Sequence, residues 1–347
     1  MPPEPPPAAL RLTIDRDALV ANWQTLDRLS GAAAAGAAVK ADAYGLGVGT
    51  VVPALWEAGC RDFFVAHWSE VAPVAERVPP KNISVLHGPL TLRDAQYARD
   101  MGVRPVINSL AQARRWIEVG GGACDLMVDT GINRLGLTLT DLGDPLVARL
   151  QIDVLLSHLA SAEEDSPLNA LQRARWEEAR RQVAHRRASL ANSAGIALGA
   201  AYHGDLTRPG VALYGGVPCA ALDGHIRQVA RPEAALIQIR DLGAGDSVGY
   251  NATFTAPHAM KVGVVSLGYA DGYLRCWSGK GTMLGEDRKL PVLGRISMDM
   301  TVIDLTPAPD LAEGDWVEVV YDLPMAAKLS GLSQYELLTG LGRRFPR

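Results

Sequence analysis

From about residue 14 to residue 216 the chain repeats one pattern, in which a short apolar run is followed by a longer amphipathic stretch and then by another apolar run. Short apolar runs bounded by small or polar residues predict buried strands, and the amphipathic stretches predict helices between them. Strands are expected at residues 37–39, 62–66, 83–86, 104–107, 124–128, 152–157, 187–191 and 208–214. Eight strands in strict alternation with helices favour an α/β fold of the (β/α)8 barrel type, with an open doubly wound sheet as the alternative.

The pattern changes after residue 217, where short runs rich in valine, isoleucine and threonine are separated by glycine, proline and aspartate turns. This arrangement predicts a mostly-β second domain. Its strands are expected at 234–239, 261–266, 289–293, 301–305 and 316–321, with late helices at 325–330 and 333–341. The predicted organisation is a disordered proline-rich tail at residues 1–8, a barrel at residues 9–222 and a C-terminal β domain at residues 223–347.

Composition excludes several classes of protein. Apolar residues make up 48% of the 347 residues and charged residues 21%, so the chain is not disordered as a whole. A net charge of −4 gives no basic footprint for nucleic acid. The sequence has no run of about 18 apolar residues and no signal-peptide pattern, so we expect a cytoplasmic protein that does not bind a membrane. Four dispersed cysteines and seven scattered histidines predict no metal site, which disfavours metal-dependent hydrolysis on a barrel.

Lys40 is unusual because the chain contains only six lysines against 28 arginines, and this one follows the first predicted barrel strand. A lysine amine that loses its proton on desolvation forms a Schiff base, which arginine does not do. Barrel enzymes place their reacting groups at the carboxyl ends of the strands. The alternative is a solvated ammonium group on a buried stem.

The segment VKADAYGLG at residues 39–47 resembles the cofactor-lysine motif of the alanine racemase family, barrel-fold enzymes that use pyridoxal 5'-phosphate. Further blocks resemble the same family, in the same order. They are DTGINRLGL (129–137), SHLASAEE (157–164), ANSAG (191–195), RPGVALYGG (208–216), GYADGY (268–273) and GRISMDM (294–300). The resemblance implies a barrel followed by a β domain, and a head-to-tail homodimer.

The resemblance also implies catalytic roles. Lys40 holds the cofactor and acts as acid or base on one face of the substrate Cα, and Tyr269 from the other subunit serves the opposite face. A free tyrosine has a pKa near 10, so it needs help to act as a base near neutrality. His158 and Arg208 match the residues that give this help through a Tyr269–His158–Arg208 chain. Arg208 also faces the cofactor's pyridine nitrogen, which it leaves unprotonated because a guanidinium only donates.

Binding roles follow from the same resemblance. The phosphate is held by Tyr44, Ser193 and the backbone amides around Gly210 and Val211, although Ser193 on its own is equally an ordinary helix N-cap. The substrate carboxylate is bound by Arg134, which also contacts the cofactor. Two partner-subunit residues complete the substrate site, Met298 through its N–H and Asp299 nearby.

Two positions depart from the family pattern. Met127 stands where some members carry a carbamylated lysine that orients the arginine matching Arg134, so Arg134 must be held otherwise, by Asn133 or by a bound anion. Arg343 stands where some members place a phosphate-contacting tyrosine, which predicts fewer hydroxyl contacts to the phosphate.

The function implied is alanine racemase activity, interconverting L- and D-alanine by a two-base mechanism and supplying D-alanine for peptidoglycan. Two alternatives remain: a racemase of broad amino-acid specificity, and a non-catalytic pyridoxal-phosphate-binding barrel protein.

Overall fold

The computed structural model describes residues 3, 6–342 and 344–346 of the chain. They divide into two compact units, one spanning Arg16–Arg227 and the other combining the N-terminal segment through Asp15 with Gln228–Arg347. This division differs from the predicted boundaries at residues 9 and 222. Strand β1 (Leu10–Ile14) belongs to the second unit because it pairs antiparallel with residues Ala230 to Ala234 of that unit.

The first unit is a barrel of parallel strands, which confirms the predicted fold class. Its strands are β2 (Ala34–Ala35), β3 (Ala37–Ala38), β4 (Phe63–Val65), β5 (Ile83–Val85), β6 (Arg104–Ile107), β7 (Ala123–Met127), β8 (Gln151–Leu156), β9 (Arg187–Ser189) and β10 (Leu206–Thr207). Its helices are α1 (Arg16–Leu29), α2 (Lys40–Tyr44), α3 (Val48–Ala58), α4 (Val71–Ala75), α5 (Leu92–Met101), α6 (Leu110–Glu118), α7 (Pro167–Gln182) and α8 (Ser193–Ala197).

Consecutive strands from β3 to β9 are paired in parallel, and the segment containing β2 and β3 closes the ring. Ala34 N–H donates to the Asp205 carbonyl at 3.1 Å, while β3 pairs with β4 on the other side. Asp205 N–H in turn donates to the Ala188 carbonyl of β9 at 2.8 Å. Every strand of the ring therefore has two neighbours, and no edge of this sheet is left open.

The predicted eighth strand at residues 208–214 is wrong. The strand is β10, two residues earlier, and residues Val211–Tyr214 form a 3₁₀ turn. Pro209 between them has no N–H to donate to a ladder. The 3₁₀ turn is fixed on the barrel because the Tyr214 hydroxyl donates to the Ala38 carbonyl at 2.8 Å.

Apolar side chains from successive strands fill the barrel. One buried cluster contains Phe64, Val106, Met127, Val154, Leu156 and Leu206. Helices begin and end where the sequence provides caps. In α5, for example, Thr91 accepts from Asp94 N–H at 3.2 Å, and Gly102 follows the helix in a left-handed conformation.

The second unit is mostly β, as the sequence predicted, and its strands pair antiparallel. Besides β1, its strands are β11 (Ala230–Leu242), β12 (Ser247–Val248), β13 (Phe254–Thr255), β14 (Met260–Val265), β15 (Thr282–Gly285), β16 (Arg288–Leu293), β17 (Thr301–Asp304) and β18 (Trp316–Val319), followed by α9 (Leu323–Ser330) and α10 (Gln334–Thr339). Six of the strands pair in a closed ring in the order β11, β14, β17, β16, β15, β18. Among the described residues, no helix combines the length and the apolar character needed to cross a membrane.

Candidate active site

The carboxyl ends of the barrel strands carry the residues that the sequence singled out in this unit. Lys40 comes two residues after β3, Arg208 directly follows β10, and His158 lies two residues after β8. Arg134 lies in the loop that follows β7. Because the strands are parallel, all four residues lie at the same end of the barrel.

The chain after Lys40 makes a left-handed turn, which is rare for residues other than glycine. Ala41, Asp42, Ala43 and Tyr44 have φ between +52° and +56°. Left-handed helical backbone costs about 1–2 kcal/mol per residue, so the surrounding structure must stabilise the turn. One stabilising contact is the Asp42 carboxylate, which accepts from Val48 N–H at 2.8 Å.

Glu70 supplies a second contact, which sequence reasoning missed. One carboxylate oxygen accepts from Ala41 N–H at 2.5 Å, and the other accepts from Ala66 N–H at 2.7 Å and His67 N–H at 2.9 Å. Glu70 therefore connects the turn after Lys40 to the end of β4. A glutamate three residues after the last loop residue is typical of a helix start. This spacing was the sequence signal that could have identified Glu70.

Electrostatics at this end of the barrel favour neutral forms of Lys40 and His158. Burial, together with the positive charge of Arg134, lowers the pKa of the Lys40 amine, while Glu70 acts in the opposite direction. Burial, then the charges of Arg208, Arg134 and Lys40, lowers the pKa of His158 to about 3. A neutral amine is nucleophilic and a neutral imidazole accepts a hydrogen bond, so both pKa shifts are in the direction that the predicted chemistry requires.

Arg208 is buried and held by several acceptors. Its guanidinium donates to the Ser189 hydroxyl and to the Ser157 carbonyl, with a longer contact of 3.5 Å to the Leu190 carbonyl. Burial lowers its pKa, and the buried Asp125 carboxylate raises it. Its relation to His158 is electrostatic, so the hydrogen bond expected between these two side chains stays a prediction.

The four predicted phosphate residues lie together. The Ser193 hydroxyl accepts from Gly210 N–H at 2.9 Å, and Val211 begins the 3₁₀ turn that follows. A Cβ on Gly210 would lie 2.3 Å from the Tyr44 hydroxyl, so only glycine allows this approach. The N-cap of α8 is Asn192, which accepts from Gly195 N–H at 2.8 Å, so Ser193 does not serve as the cap.

The Tyr44 hydroxyl remains a donor over the whole physiological range. Burial raises the pKa of Tyr44 to about 12. Its ring stacks on Tyr214 with the ring centroids 4.8 Å apart. The hydroxyl is thus held in place by the same 3₁₀ turn that carries backbone amides predicted to bind the phosphate.

The loop carrying Arg134 is organised by Asp129, a residue that the sequence did not single out. Its carboxylate accepts from the N–H groups of Gly131 at 2.8 Å, Asn133 at 3.1 Å and Arg134 at 2.9 Å. The backbone of Arg134 is therefore held by a carboxylate. Asn133 contributes a left-handed residue with φ of 55°, and Met127 packs into the barrel core.

In the second unit, Tyr269, Met298 and Asp299 lie on two adjoining loops. Tyr269 begins a 3₁₀ turn. The next residue, Ala270, donates its N–H to the Met298 carbonyl at 3.0 Å. A Cβ on Gly268 would lie 2.3 Å from that carbonyl, so the two loops meet at a glycine.

Two arginines beside these loops were not anticipated. Arg344 contacts the buried Asp271 at 2.7 Å and the exposed Asp299 at 2.8 Å, which joins the loops. The guanidinium carbon of Arg275 lies 5.1 Å from the centre of the Tyr269 ring. Arg343, for which the sequence predicted an effect on phosphate binding, lies outside the described residues.

Comparisons with known proteins decide the family. A family model for the alanine racemase N-terminal domain matches residues 14–218, and one for the alanine racemase C-terminal domain matches residues 229–347. The chain belongs to the alanine racemase family.

Relatives within the alanine racemase family align with almost the whole chain. The alanine racemase of Methylobacterium nodulans is 42% identical over 352 residues, covering 97% of this chain and 95% of the relative. The biosynthetic alanine racemase of Agrobacterium fabrum is also 42% identical, covering 98% and 93%. The crystal structure of the Bartonella henselae alanine racemase, with covalently bound pyridoxal phosphate, has a TM-score of 0.90 at 35% identity and covers 98% of this chain and 99% of that one.

Proposed function

We propose that the chain is a pyridoxal 5'-phosphate-dependent alanine racemase that interconverts L- and D-alanine. The observation that carries the proposal is the convergence of Lys40, Arg134, His158 and Arg208 at one end of the barrel, where burial and the charge of Arg134 lower the pKa of the lysine amine. Membership of the alanine racemase family and the close likeness to a structure with covalently bound pyridoxal phosphate support it.

The residues present fit this cofactor. Two hydroxyls and the start of a 3₁₀ turn surround Gly210, where a Cβ would displace Tyr44, and such a set of small donors suits a phosphate. The buried guanidinium of Arg208 suits a ring nitrogen that accepts a hydrogen bond. When bound, the cofactor supplies an electron sink that makes the substrate Cα proton acidic.

Each residue then has a defined task. Lys40 holds the cofactor covalently through its amine and, once displaced by the substrate amine, moves a proton at one face of Cα. Arg134 pairs with the substrate carboxylate. Tyr269 moves a proton at the opposite face, and His158 accepts the hydrogen bond of its hydroxyl. Two groups on opposite faces are needed because a single base tends to return the proton to the side from which it came.

We propose that Tyr269, Met298 and Asp299 reach this site from a second copy of the chain, so that the working form is a head-to-tail homodimer. The physiological role proposed is the supply of D-alanine for peptidoglycan in the cytoplasm. Expression in a D-alanine auxotroph tests this role: growth without added D-alanine supports it, and failure of an active enzyme to restore growth contradicts it.

A racemisation assay in D₂O tests the activity and its two-base character together. L-alanine should become D-alanine, with solvent deuterium appearing in the product earlier than in the recovered substrate. Equal deuterium in the product and in the recovered substrate from the first turnovers would indicate one shared base and contradict the mechanism. Comparable turnover of serine and lysine would favour a broad-specificity racemase, and absence of turnover with bound cofactor would favour a non-catalytic binding protein.

A further inference from the structure

The barrel has a cavity at the end opposite Lys40. Its lining comes mainly from residues at the amino ends of β4 to β9, together with residues of helices α5 and α6, and its volume is about 540 Å³. A volume of this size lies in the range of small-molecule sites. The cofactor and substrate residues described above lie at the carboxyl ends of the strands, so this cavity is a separate feature of the same unit.

Positive charge dominates the lining. Two carboxylates, Asp62 and Asp153, line the cavity together with six cationic side chains, which are Arg61, Lys81, Arg99, Arg104, Arg186 and Arg187. A concave surface lined mainly by one sign of charge concentrates ions of the opposite sign.

The carboxylates are already paired with arginines from the strand starts. Arg187 donates to Asp62 at 2.8 Å and to Asp153 at 2.9 Å. Arg104 donates to Asp62 at 3.0 Å and lies 3.4 Å from the buried Asp125. This network fixes the positions of two guanidinium groups in the cavity lining, where they add positive charge while their hydrogen bonds go to the carboxylates.

Arg186 also pairs with Asp153, whereas the other three cations lie outside that network. Lys81 is exposed at the rim, just before β5. Arg99 pairs with Asp100, a neighbour whose side chain is 64% exposed, and such surface pairs contribute little to stability. Arg61 stacks on Trp56 with its guanidinium carbon 4.1 Å from the ring centre. These three side chains add positive charge that the acids of the cavity do not neutralise.

We propose that this cavity binds the oligophosphate group of a small anion. Guanidinium forks and a lysine ammonium are the groups that proteins use for phosphate recognition. Six cations face Asp62 and Asp153, with the buried Asp125 behind Arg104 and Asp100 beside Arg99, so a smaller net positive charge remains that an oligophosphate balances better than a single carboxylate. The lining of the cavity alone supports this site, whether or not the chain is a racemase.

Calorimetric titration of the cofactor-loaded protein with inorganic tripolyphosphate tests the site. The bound cofactor occupies the phosphate cradle at the other end of the barrel, so that cradle does not contribute to the signal. Saturable binding of one tripolyphosphate per chain is expected. Lys81→Glu and Arg99→Glu, both at exposed positions, should each weaken binding at least about tenfold.

Arg114→Glu is the matched control, because Arg114 is an exposed residue of α6 outside the cavity and undergoes the same change of charge. It should change the dissociation constant by less than about twofold. Circular dichroism of each variant verifies that it is folded. Absence of saturable binding to the parent protein, or equal weakening by Arg114→Glu and the cavity variants, would overturn the proposal.

A parallel titration with ATP identifies the source of the phosphate group. Binding at least about tenfold tighter than that of tripolyphosphate would support a nucleotide as the ligand, with the base contributing contacts. Equal affinity for the two would support recognition of the phosphate chain alone. With either result, Lys81→Glu must weaken ATP binding as much as it weakens tripolyphosphate binding. The result supports the site only if that variant loses affinity.

Discussion

The carboxylate of Glu70 accepts a hydrogen bond from the backbone N–H of Ala41, the residue that follows Lys40. The second oxygen of the same carboxylate accepts from two N–H groups at the end of β4. A single side chain therefore fixes the left-handed turn after Lys40 to the neighbouring strand. We infer that Glu70 is a positioning residue, which holds the start of the turn so that the Lys40 amine lies at the mouth of the barrel.

Replacement of Glu70 by glutamine should loosen this turn. The amide of glutamine has only one acceptor oxygen, so it cannot serve the N–H groups at both ends. We expect the free energy of unfolding to fall by about 2 kcal/mol, and cofactor affinity to fall with it. Urea denaturation and cofactor titration measure the two effects. Glu76→Gln, at an exposed position in the same region, should leave both unchanged, and equal behaviour of the two variants would refute the role assigned to Glu70.

His158 should remain neutral far below the ordinary histidine range. Its pKa of about 3 results from burial and from the charges of Arg208, Arg134 and Lys40 that face it. In the cofactor-free protein, its imidazole resonances should therefore stay constant between about pH 5 and about pH 8. Comparison of NMR spectra with those of His158→Gln identifies the signal. A His158 resonance that titrates near the ordinary pKa of 6.5 would be inconsistent with this environment.

The lowered pKa of His158 also makes the stability of the fold depend on pH. A histidine whose pKa is lower in the folded than in the unfolded state stabilises the fold above the unfolded pKa, and this contribution is lost as the pH falls. For His158 the loss should begin near pH 6.5 and continue towards about pH 3. The His158→Gln variant should lose stability less steeply between these limits, as measured by urea denaturation at a series of pH values.

Prediction from the sequence succeeded where periodicity carries the information. Seven of the eight barrel strand positions expected from the sequence overlap the observed strands. The eighth strand was misplaced because the apolar run 211–214 is buried as a 3₁₀ turn, and periodicity alone does not separate a short buried strand from a buried turn. Strand β1 was missed because its partner, β11, is about 220 residues away in the sequence.

The candidate site was predictable to the extent that motifs mark it. Lys40, His158 and Arg208 belong to recognisable segments. Asp129 also lies in such a segment, but its role, like those of Glu70 and Arg344, is to bind backbone or neighbouring side chains in or across loops. Their contacts depend on the left-handed turn and on loop approach, neither of which the sequence pattern specifies. Such partners are found only once the loops are placed in space.

The ion pairs at the amino end of the barrel should contribute much more to the free energy of unfolding than those at the surface. Arg104 contacts the fully buried Asp125, whereas Arg288 pairs with Asp310 at an exposed position. Arg104→Met should lower the free energy of unfolding by about 3 kcal/mol, because Asp125 is left without its counter-charge. Arg288→Met should have a small effect, since solvent already screens that pair. Similar unfolding curves for the two variants would contradict this distinction.

Mixing two inactive variants tests the proposal that the site is shared between subunits. Lys40→Ala and Tyr269→Phe should each be nearly inactive alone. After subunits exchange at random, half of the dimers are mixed, and each mixed dimer has one site with both native residues. About a quarter of wild-type activity should therefore return. If both residues of a site come from one chain, mixing restores nothing.

Lys40 carries the cofactor in the proposed mechanism, and reduction with borohydride tests this assignment. Borohydride converts the link between a lysine and pyridoxal phosphate into a stable bond, so mass spectrometry of a proteolytic digest identifies the modified residue. The visible absorbance of the purified protein should disappear on reduction, and the phosphopyridoxyl group should be found on Lys40. A label on any of the other five lysines, or a protein that binds the cofactor without any covalent label, would contradict the account.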